Sequence, residues 1–478
     1  MNRVLVTHSY FYKLDHKQWK FKQPYPPLGT LQAAAVVRDA GFDVTLYDTA
    51  LREGPAEIEN ELRSHKPDFF IIYDDGFNYL TKMCLTVMRE AAFAMASLAK
   101  QHGAIVIICS SDASDQYEKY FTHGVDYVVR GEGEETLKEL LLCLKENKSA
   151  NEVLGIVYQF ESKQIVTPPR PVMRHLDELP LPAWDLINLE PYRKIWNDHH
   201  GFFSLNIATT RGCPYKCNWC AKPIYGNRYN SRSPEHVINE IDYLRKEFKP
   251  DHFWMCDDIF GLKPGWVNRF RELVKEKNLK FKYKIQSRVD LLLEENNIEA
   301  LAVSGADTIW VGAESGSQKI LDAMDKGTTI AEIREATRLL RKNNIKIGYF
   351  LQFGYSGETR EDIDATMKLV LEMMPDEIGI SVSYPLPGTK FYENVKSQLK
   401  EKQNWTDSDD LAMMYRGTFS PTFYKLLHRY MHSRYRIKRG WEQLKKREFK
   451  LRPLASMIYH APLSLVQGWR LTRLQHAE

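Results

Sequence analysis

The sequence predicts an α/β chain: an N-terminal Rossmann-like, doubly wound domain, a partial (β/α)6 TIM-type barrel, and a helical C-terminal region. Two series of short apolar strands, separated by stretches with the apolar spacing of helices, predict the first two parts. Strands that alternate with helices form parallel sheets, because each parallel connection must cross over the sheet. We expect domains at 1–150 and 201–395, a linker at 151–200 and the C-terminal region at 396–478.

Five strands are predicted in the first series: "RVLVTHS", "DVTLYD", "DFFIIYD", "AIVIICS" and "DYVVRG". Helical patterns such as "LGTLQAAAVVRDAG" and "ETLKELLLCLKEN" lie between or after them. Ligands of open parallel sheets bind beyond the carboxyl ends of the strands, so the candidate ligand loops are residues 8–10, 73–78, 110–112 and 130–135. No G-x-G-x-x-G sequence opens the first helix, which disfavours a dinucleotide.

Residues 151–200 are rich in proline, as in "TPPRPVMRHLDELPLPAWD", which predicts an extended linker. Six further strands follow: "SLNIATT", "HFWMCDD", "KYKIQSR", "TIWVGAES", "KIGYFLQFG" and "EIGISVSYP". Helical patterns such as "PEHVINEIDYLRKEF" separate them. Six such repeats predict a partial barrel whose active site collects at the carboxyl ends of its strands.

The composition restricts the class of protein. With 478 residues, 43% of them hydrophobic and 27% charged, the chain is expected to be globular and to contain several domains. Its seven cysteines are too few for a secreted disulfide framework and favour a reducing cytoplasm. The N-terminus lacks a signal-peptide pattern, and no apolar run approaches the roughly 20 residues that span a bilayer. A cytoplasmic location is therefore expected.

Cys213, Cys217 and Cys220 have C-x3-C-x2-C spacing in "RGCPYKCNWC", directly after the first strand of the second series. Thiolate ligands favour zinc or an iron-sulfur cluster. Structural zinc takes four ligands, and no familiar finger spacing is completed by the nearest candidates, which are His199, His200, His236 and Cys256. A [4Fe-4S] cluster held by three cysteines leaves one iron open, so the spacing favours a catalytic centre.

This cysteine loop, with Trp219 before the third cysteine, resembles the radical SAM signature. The resemblance implies that the three cysteines bind three irons, and that S-adenosylmethionine (SAM) chelates the fourth. One electron from an external donor such as flavodoxin or ferredoxin then cleaves the sulfonium to methionine and a 5′-deoxyadenosyl radical, which abstracts hydrogen from substrate. Segments "CDDIF", "QSRVD" and "GAESGS" are similar to those that follow later barrel strands in this family.

These segments supply the predicted SAM contacts. Carboxylates can bind the ammonium group or the ribose hydroxyls, and an arginine can pair with the methionine carboxylate. Glycines 312 and 316 allow close approach of the backbone to the nucleoside. The alternative is that these residues only cap helices and form turns. The predicted contacts are Trp219, Asp257, Asp258, Gln286, Arg288, Glu314 and Ser315.

The segments "YPPLGTLQAAAVVRDAGFDVTLYD" and "GVDYVVRGEGEETLKELL" resemble the cobalamin-binding domain that precedes the barrel in one large subgroup of the family. "LDELPLPAWDLI" is similar to the linker of that subgroup. The D-x-H-x-x-G motif that supplies a histidine to cobalt is absent, so a Rossmann-like domain without cobalt remains an alternative. The predicted cobalamin contacts are Gly29, Tyr73, Asp74, Ser110, Arg130, Gly131 and Glu132.

The net charge of +4 is unevenly distributed. Between Pro421 and Glu478 there are thirteen Lys/Arg and three Asp/Glu, so this tail carries +10 and the rest carries 4 − 10 = −6. Aromatic and apolar residues interleave with the basic ones, as in an amphipathic helix on the inner face of an anionic membrane with Trp441 and Trp469 at the interface. The alternative is a helical cap over the barrel. No recognised nucleic-acid module accompanies the charge, which disfavours RNA or DNA as a partner.

The resemblance implies a cobalamin-dependent radical SAM enzyme that cleaves SAM at a [4Fe-4S] cluster and modifies an unactivated carbon of a small or lipid-like metabolite. Methylation, as in class B radical SAM methyltransferases, is the first hypothesis. Two alternatives stay open. One is an oxidative cyclase or rearrangement enzyme without methyl transfer, similar to magnesium-protoporphyrin monomethyl ester cyclase. The other is a non-catalytic metal-binding scaffold.

Overall fold

The structure is a computed structural model, and it describes residues 2–83, 85–161, 163–220, 222, 224–399, 404–411, 413–445 and 451–475. The chain divides into two compact units. Unit 1 consists of Met1–Pro214, Lys222–Ile285 and Asn404–Asp410. Unit 2 consists of Tyr215–Ala221, Gln286–Gln403 and Leu411–Glu478.

The first sheet has the strand order β2-β1-β3-β4-β5-β6-β7. Its strands are β1 (Arg3–Thr7), β2 (Asp43–Tyr47), β3 (Phe69–Tyr73), β4 (Ile105–Cys109), β5 (Tyr127–Val129), β6 (Ile156–Phe160) and β7 (Lys163–Val166). The pairs formed among β1 to β5 are all parallel, and β6 and β7 are added antiparallel. All five strands predicted in this part are present.

Helices cover both faces of the first sheet. They are α1 (His16–Phe21), α2 (Leu28–Asp39), α3 (Ile58–His65), α4 (Tyr79–Lys82), α5 (Thr86–Gln101), α6 (Ser111–Phe121) and α7 (Glu134–Lys145), with α8 (Glu190–His200) further along. Strand β3 is buried on both sides: Phe69 and Ile71 pack with α2 and α7, whereas Phe70 and Ile72 pack with α3 and α5. Because successive side chains of a strand point to opposite faces, this apolar run requires helices on both sides. The doubly wound fold class is confirmed.

Residues 151–200 differ from the extended conformation that their prolines predicted. Strands β6 and β7 form a hairpin that extends the first sheet, and α8 ends at Gly201, whose φ of +76° suits a left-handed helix end. Trp184 and Trp196 are fully buried. Most prolines of this range lie between these elements, and Pro191 stands in the first turn of α8, which tolerates proline. The abundance of proline therefore did not reveal the regular structure beside it. The domain boundaries themselves stay predictions.

The second series contains the six predicted strands, in the sheet order β15-β14-β13-β12-β11-β8. The strands of this part are β8 (Ser204–Ile207), β9 (Thr210–Arg211), β10 (Asn230–Ser231), β11 (His252–Met255), β12 (Lys282–Ser287), β13 (Ala306–Glu314), β14 (Lys346–Phe353) and β15 (Glu377–Val382). Strands β8, β11 and β12 pair in parallel, as do β13, β14 and β15. Strands β9 and β10 pair antiparallel and form a separate two-stranded ladder.

Helices follow these strands as the sequence predicted. They are α9 (Pro234–Glu247), α10 (Trp266–Glu276), α11 (Val289–Leu292), α12 (Asn297–Ser304), α13 (Gln318–Ala323), α14 (Ile330–Lys342), α15 (Arg360–Met373) and α16 (Lys390–Val395). Short 3-10 helices occupy Tyr12–Leu14, Pro55–Glu57, Ala150–Glu152, Leu176–Glu178, Trp184–Leu186 and Lys396–Gln398. Capping boxes begin α14 at Thr329 and α15 at Thr359, where each threonine accepts a hydrogen bond from the third helical residue.

The C-terminal region is helical, as predicted. Helices α17 (Pro421–Lys445) and α18 (Leu451–Gln475) pack against each other. Within the part of the chain that the structure describes, no helix is long and apolar enough to cross a membrane.

Candidate functional site

In unit 1, the loop after β3 is tied to the start of α2. The carboxylate of Asp75 accepts hydrogen bonds from the backbone N–H groups of Leu28 at 3.2 Å, Gly29 at 3.0 Å and Phe77 at 3.0 Å. A Cβ atom at Gly29 would lie 3.0 Å from Asp75 Oδ1 and 3.1 Å from its Cα. Gly29 therefore allows α2 to approach this loop closely, a structural role that exists beside its predicted contact with cobalamin.

Three other predicted cobalamin contacts lie at the carboxyl ends of β3 and β4, where Tyr73 is the last residue of β3. Asp74 accepts hydrogen bonds from Ser9 N at 2.7 Å and Ser9 Oγ at 3.0 Å, and burial raises its pKa to about 6. The Ser110 hydroxyl accepts from Ala113 N at 2.9 Å and so caps α6. Tyr73 is buried, which raises its pKa. Because β3 and β4 are parallel neighbours, their carboxyl ends bring these residues to one edge of the sheet.

The loop after β5 joins the same edge. Gly131 has a φ of +74°, which favours glycine there. The Arg130 backbone N–H donates to Gly155 O at 2.8 Å, and its buried Nε atom has no hydrogen-bond partner within the described residues. The Glu132 carboxylate is held by Arg211 and by the backbone N–H of Met173. Among Arg130, Gly131 and Glu132, it is therefore the Glu132 side chain whose two carboxylate oxygens are both bound by other groups of the protein.

Arg211 is a buried cation that the sequence analysis missed. Its guanidinium donates to Glu132 Oε1 and, at 2.8 Å, to Glu134 Oε1, and all three side chains are buried. The rings of Phe77 and Tyr225 lie 5.5 and 5.4 Å from the guanidinium carbon. Burial raises the pKa of Glu132, and Arg211 opposes that shift. Arg211 is two residues before Cys213, so the triad connects the start of the cysteine loop to the end of β5.

Two further contacts fix the base of the cysteine loop in unit 1. Strands β9 and β10 close it, and a Cβ at Gly212 would lie 2.2 Å from Arg228 O. Asp257 accepts from Thr209 N at 2.6 Å, Thr209 Oγ1 at 2.7 Å and Thr210 N at 2.7 Å. Burial raises the pKa of Asp257 to about 6. Its carboxylate thus holds the backbone that enters β9, and its contact with SAM stays a prediction.

Asp258, the neighbouring predicted SAM contact, has a cationic partner. Its Oδ1 atom lies 2.6 Å from Lys82 Nζ, and both side chains are partly buried. An aspartate in such a pair is already neutralised, so binding of the SAM ammonium group there would have to compete with Lys82.

In unit 2, Asn218 anchors the segment that carries Cys217 and Cys220. Its backbone N–H donates to Met324 O at 3.0 Å, and its side-chain amide donates to Ala323 O at 2.7 Å and Asp325 Oδ2 at 3.0 Å. Its side-chain oxygen accepts from Tyr355 OH at 2.8 Å, and its backbone oxygen accepts from Phe391 N at 2.9 Å. Every polar group of this residue therefore has a protein partner. Sequence analysis gave no signal for it beyond its place inside the motif.

Arg288 lies beside the same segment. Its NH1 atom is 3.9 Å from Cys217 Sγ, and its guanidinium carbon is 3.8 Å from the centre of the Tyr215 ring. Asp290 binds it through two oxygens, at 2.9 and 3.0 Å. Arg288 therefore lies beside one of the three predicted iron ligands and already has Asp290 as a carboxylate partner, and its contact with SAM stays a prediction.

Glu314 is paired with a lysine that the sequence analysis did not select. Lys326 Nζ lies 2.8 Å from Glu314 Oε1, and both side chains are buried. Burial lowers the pKa of Lys326, but Glu314 and Cys217 outweigh this effect and leave the pKa raised. The Lys326 carbonyl also accepts from Arg288 at 2.9 Å. Glu314 has a φ of +54° at an irregularity in the pairing of β13 with β14.

The remaining predicted SAM contacts are placed as follows. The buried indole N–H of Trp219 has no acceptor among the residues that the structure describes. Gln286 is half-buried on β12. The Ser315 hydroxyl lies 3.1 Å from Thr366 Oγ1 and is fully buried. Roles in SAM binding stay predictions for all of them.

The described residues contain no preformed group of three or more His, Cys, Asp or Glu side chains that could hold a metal ion. The chemistry of the donor set nevertheless suits an iron-sulfur cluster. Three thiols occur within one short loop, and Arg288 NH1 lies 3.9 Å from Cys217 Sγ, where it could donate a hydrogen bond to a sulfur ligand of a cluster. The three cysteines stay the predicted ligands.

Comparisons with known proteins give the family. Residues 207–370 match the radical SAM superfamily, and residues 19–141 match the B12 binding domain. The chain belongs to the radical SAM superfamily and carries a B12-binding domain. The predicted family, its two α/β domains and the prediction of an enzyme are confirmed. This radical SAM enzyme is similar to curated relatives over most of its length.

Three of these relatives carry names that describe different reactions. An uncharacterised methyltransferase of Pyrococcus horikoshii is 28% identical, with 80% of this chain and 81% of the relative covered. The anaerobic magnesium-protoporphyrin IX monomethyl ester cyclase of a Synechocystis strain is 27% identical, with coverage of 78% and 73%. The hopanoid C-3 methylase of Methylococcus capsulatus is 25% identical, with coverage of 87% and 77%.

Solved structures support the same fold for this radical SAM enzyme. The cobalamin-dependent SAM radical enzyme OxsB, with aqua-cobalamin bound, matches 100% of this chain and 76% of its own at 19% identity, with a TM-score of 0.75. The radical SAM methyltransferase TsrM of Kitasatospora setae, with cobalamin and a [4Fe-4S] cluster bound, matches 83% and 75% at 18% identity, with a TM-score of 0.69.

Proposed function

We propose that this radical SAM enzyme is a cobalamin-dependent methyltransferase that modifies an unactivated carbon of a small or lipid-like metabolite. The observation that carries the proposal is a B12-binding domain ahead of a radical SAM domain on one chain. The names of two relatives, the methyltransferase of Pyrococcus horikoshii and the hopanoid methylase, support methyl transfer and a lipid-like substrate.

Cys213, Cys217 and Cys220 would hold three irons of a [4Fe-4S] cluster, and the fourth iron would bind SAM. Arg288 brings its guanidinium to 3.9 Å from Cys217 Sγ, where it would offset part of the negative charge of a cluster's thiolate ligands. When bound, the cluster supplies the electron for cleavage of SAM, and cobalamin supplies a carrier for the methyl group.

The protein's own residues would position these groups. Asn218 fixes the backbone between Cys217 and Cys220, and the Arg211 triad fixes the approach to Cys213. We assign SAM binding to Trp219 and the residues after the later strands, and cobalamin binding to the residues at the carboxyl ends of β3, β4 and β5. The electron would come from an external donor such as flavodoxin or ferredoxin.

The test begins with anaerobic purification and measurement of iron, sulfide and cobalt. Roughly four irons per chain are expected for a [4Fe-4S] cluster. The protein is then reduced with SAM, and 5′-deoxyadenosine is quantified beside the variants Cys217→Ala and Cys143→Ala. Product from the wild type and from Cys143→Ala, with none from Cys217→Ala, supports the proposal. A fully loaded protein that makes no 5′-deoxyadenosine would contradict it, and four irons without cobalt would remove the role of cobalamin.

An oxidative cyclase or rearrangement enzyme is the second candidate, and the similarity to the Synechocystis cyclase favours it. Product analysis with the true substrate separates the two. A methyltransferase yields S-adenosylhomocysteine together with 5′-deoxyadenosine, whereas the second candidate yields no S-adenosylhomocysteine.

The proposal also includes a cytoplasmic enzyme whose C-terminal region makes a peripheral contact with the membrane. Such a contact suits a lipid-like substrate, which is concentrated in the bilayer. Exposed tryptophans in this region, Trp441 and Trp469, support it.

A further inference from the structure

Helix α18 presents two different faces. One face packs on α17 through Met457, Ser464, Gly468 and Leu471. The contact is close: a Cβ at Gly440 of α17 would lie 2.7 Å from Met457 Cβ. One side of α18 is therefore fixed by α17, and the opposite side is left to be explained.

That opposite side is an apolar stripe that we call the outer stripe. Its members recur at intervals of three, four or one residues, as positions on one face of a helix do. Leu451, Leu465 and Ile458 are 85, 77 and 69% exposed. From Leu451 to Trp469 the stripe is about 27 Å long, at a rise of about 1.5 Å per residue. The outer stripe consists of Leu451, Ala455, Ile458, Tyr459, Pro462, Leu465, Val466 and Trp469.

Aromatic residues and arginines accompany the stripe. Tyr459 and Trp469 are 66 and 55% exposed, and the Arg473 guanidinium carbon lies 3.7 Å from the Trp469 ring centre. Arg452 and Arg470 each follow a stripe residue directly. Aromatic rings and arginines of this kind are typical of the boundary between acyl chains and headgroups.

The charge of the helix pair is strongly positive. Residues 421–445 and 451–475 contain ten Lys/Arg and a single acidic residue, Glu442. An anionic surface would be attracted to this pair, and a second copy of it would be repelled. Charge complementarity thus favours an anionic surface over a second copy of this helix pair as the partner of the stripe.

We propose that the outer stripe docks on the surface of an anionic lipid bilayer, with α18 lying in the plane of the interface. No helix among the described residues is suited to cross a membrane, so α18 would lie on the bilayer rather than span it. This inference names the surface behind the peripheral contact included in the proposed function. It does not depend on the reaction that the enzyme catalyses.

Vesicle co-sedimentation of the full chain tests the proposal. Phosphatidylcholine vesicles are compared with vesicles that also contain phosphatidylglycerol, at low and high salt. The test variant is Leu465→Gln with Trp469→Gln, because glutamine keeps a helix propensity close to that of leucine. The matched control is Val303→Gln, a 51% exposed apolar residue on α12.

The wild type and the control are expected to bind anionic vesicles, with at least a tenfold loss for the test variant and weaker binding at high salt. Equal binding by the test variant and the wild type would overturn the proposal, as would failure of the wild type to prefer anionic vesicles. Light scattering without vesicles tests whether the stripe instead binds a second copy of the chain. If the wild type is a dimer, the test variant is a monomer and neither binds vesicles, the stripe is a dimer interface and the proposal is wrong. Unchanged 5′-deoxyadenosine formation in the test variant separates loss of docking from failure of the proposed chemistry.

Discussion

The guanidinium of Arg288 lies 3.9 Å from the sulfur of Cys217 and stacks 3.8 Å from the centre of the Tyr215 ring. Asp290 holds the arginine from the other side through two hydrogen bonds. A cation held by two protein side chains thus stands beside one of the three predicted iron ligands.

Replacing Arg288 by glutamine should weaken cluster binding, because the positive charge beside Cys217 is lost. Outer partners of metal ligands typically contribute about 10–100-fold to affinity or activity, and we expect a loss in that range. Iron per chain after reconstitution and the initial rate of 5′-deoxyadenosine formation are the measurements. Arg338→Gln, which removes an exposed arginine paired with Glu335, is the control. An Arg288→Gln protein with full iron and full rate would show that this cation is not needed.

Alanine at any of Cys213, Cys217 or Cys220 should abolish reductive cleavage of SAM, because each is a predicted iron ligand. Alanine at Cys109 or Cys143 should be tolerated, and the same prediction for Cys84 falls outside the described residues. The assay is 5′-deoxyadenosine from reduced, reconstituted protein. Product from the Cys217→Ala protein would refute the assignment of the loop.

Asn218→Ala should lower both stability and iron content, because it removes three side-chain hydrogen bonds of the cysteine loop. Each such bond contributes about 1 kcal/mol, and buried partners left unsatisfied add to the loss. Urea unfolding of the iron-free protein measures the structural part, and iron uptake measures the rest. Asn239→Ala, at an exposed asparagine that accepts from Lys277, is the matched control and should change neither.

Arg211→Met should destabilise the fold strongly, since it leaves Glu132 and Glu134 buried without their cation. Removing one partner of a buried ion pair typically costs about 3–5 kcal/mol. Adding Glu132→Gln and Glu134→Gln to the same chain should recover much of that loss, because uncharged amides are less costly to bury. Denaturant unfolding measures both variants; a triple variant no more stable than Arg211→Met would argue against charge burial as the cause.

The buried carboxyl group of Glu358 should make the free energy of unfolding depend on pH. Its side chain is fully buried, one oxygen accepts from Gly354 N at 2.7 Å, and the other has no partner within the described chain. Burial raises its pKa to about 8, from a usual value near 4.5. The folded protein therefore binds a proton that the unfolded chain releases, and the free energy of unfolding falls as the pH rises from about 4.5 to 8.

Glu358→Gln mimics the protonated acid and should remove this contribution. The variant and the wild type should have similar free energies of unfolding near pH 5, and the variant should be more stable above pH 8. Urea unfolding across this range is the measurement, with the exposed Glu335→Gln as control. Parallel profiles for Glu358→Gln and the wild type would contradict the prediction.

Much of the fold followed from the sequence because apolar periodicity reports burial directly. Strand β3 and the six strands of the second series are continuous or alternating apolar runs, and they form where expected. The hairpin of β6 and β7 was missed, since its outer residues, such as Phe160, are exposed and a proline-rich segment follows it directly. Local composition there does not reveal pairing with β5, which is a tertiary interaction.

The sequence identified candidate site residues where a motif specifies the residue type. It did not identify residues whose role depends on an ion-pair partner far away in the chain. The cysteines and Arg288 have recognisable positions, but Lys326 and Arg211 matter through residues distant in the chain. Glu314 and Glu132 were selected as ligand contacts, whereas in the fold each is bound to one of these cations. A single sequence does not show which cation will neutralise which carboxylate.

The hydrogen bonds of Asn218 have a consequence for how the enzyme is made. All of its partners are protein atoms, among them Ala323, Tyr355 and Phe391, and none depends on iron. The middle of the loop is therefore shaped during folding of the polypeptide, and cluster assembly becomes a later, separable event. A protein produced without iron should therefore fold first and should still bind iron and sulfide when they are added later.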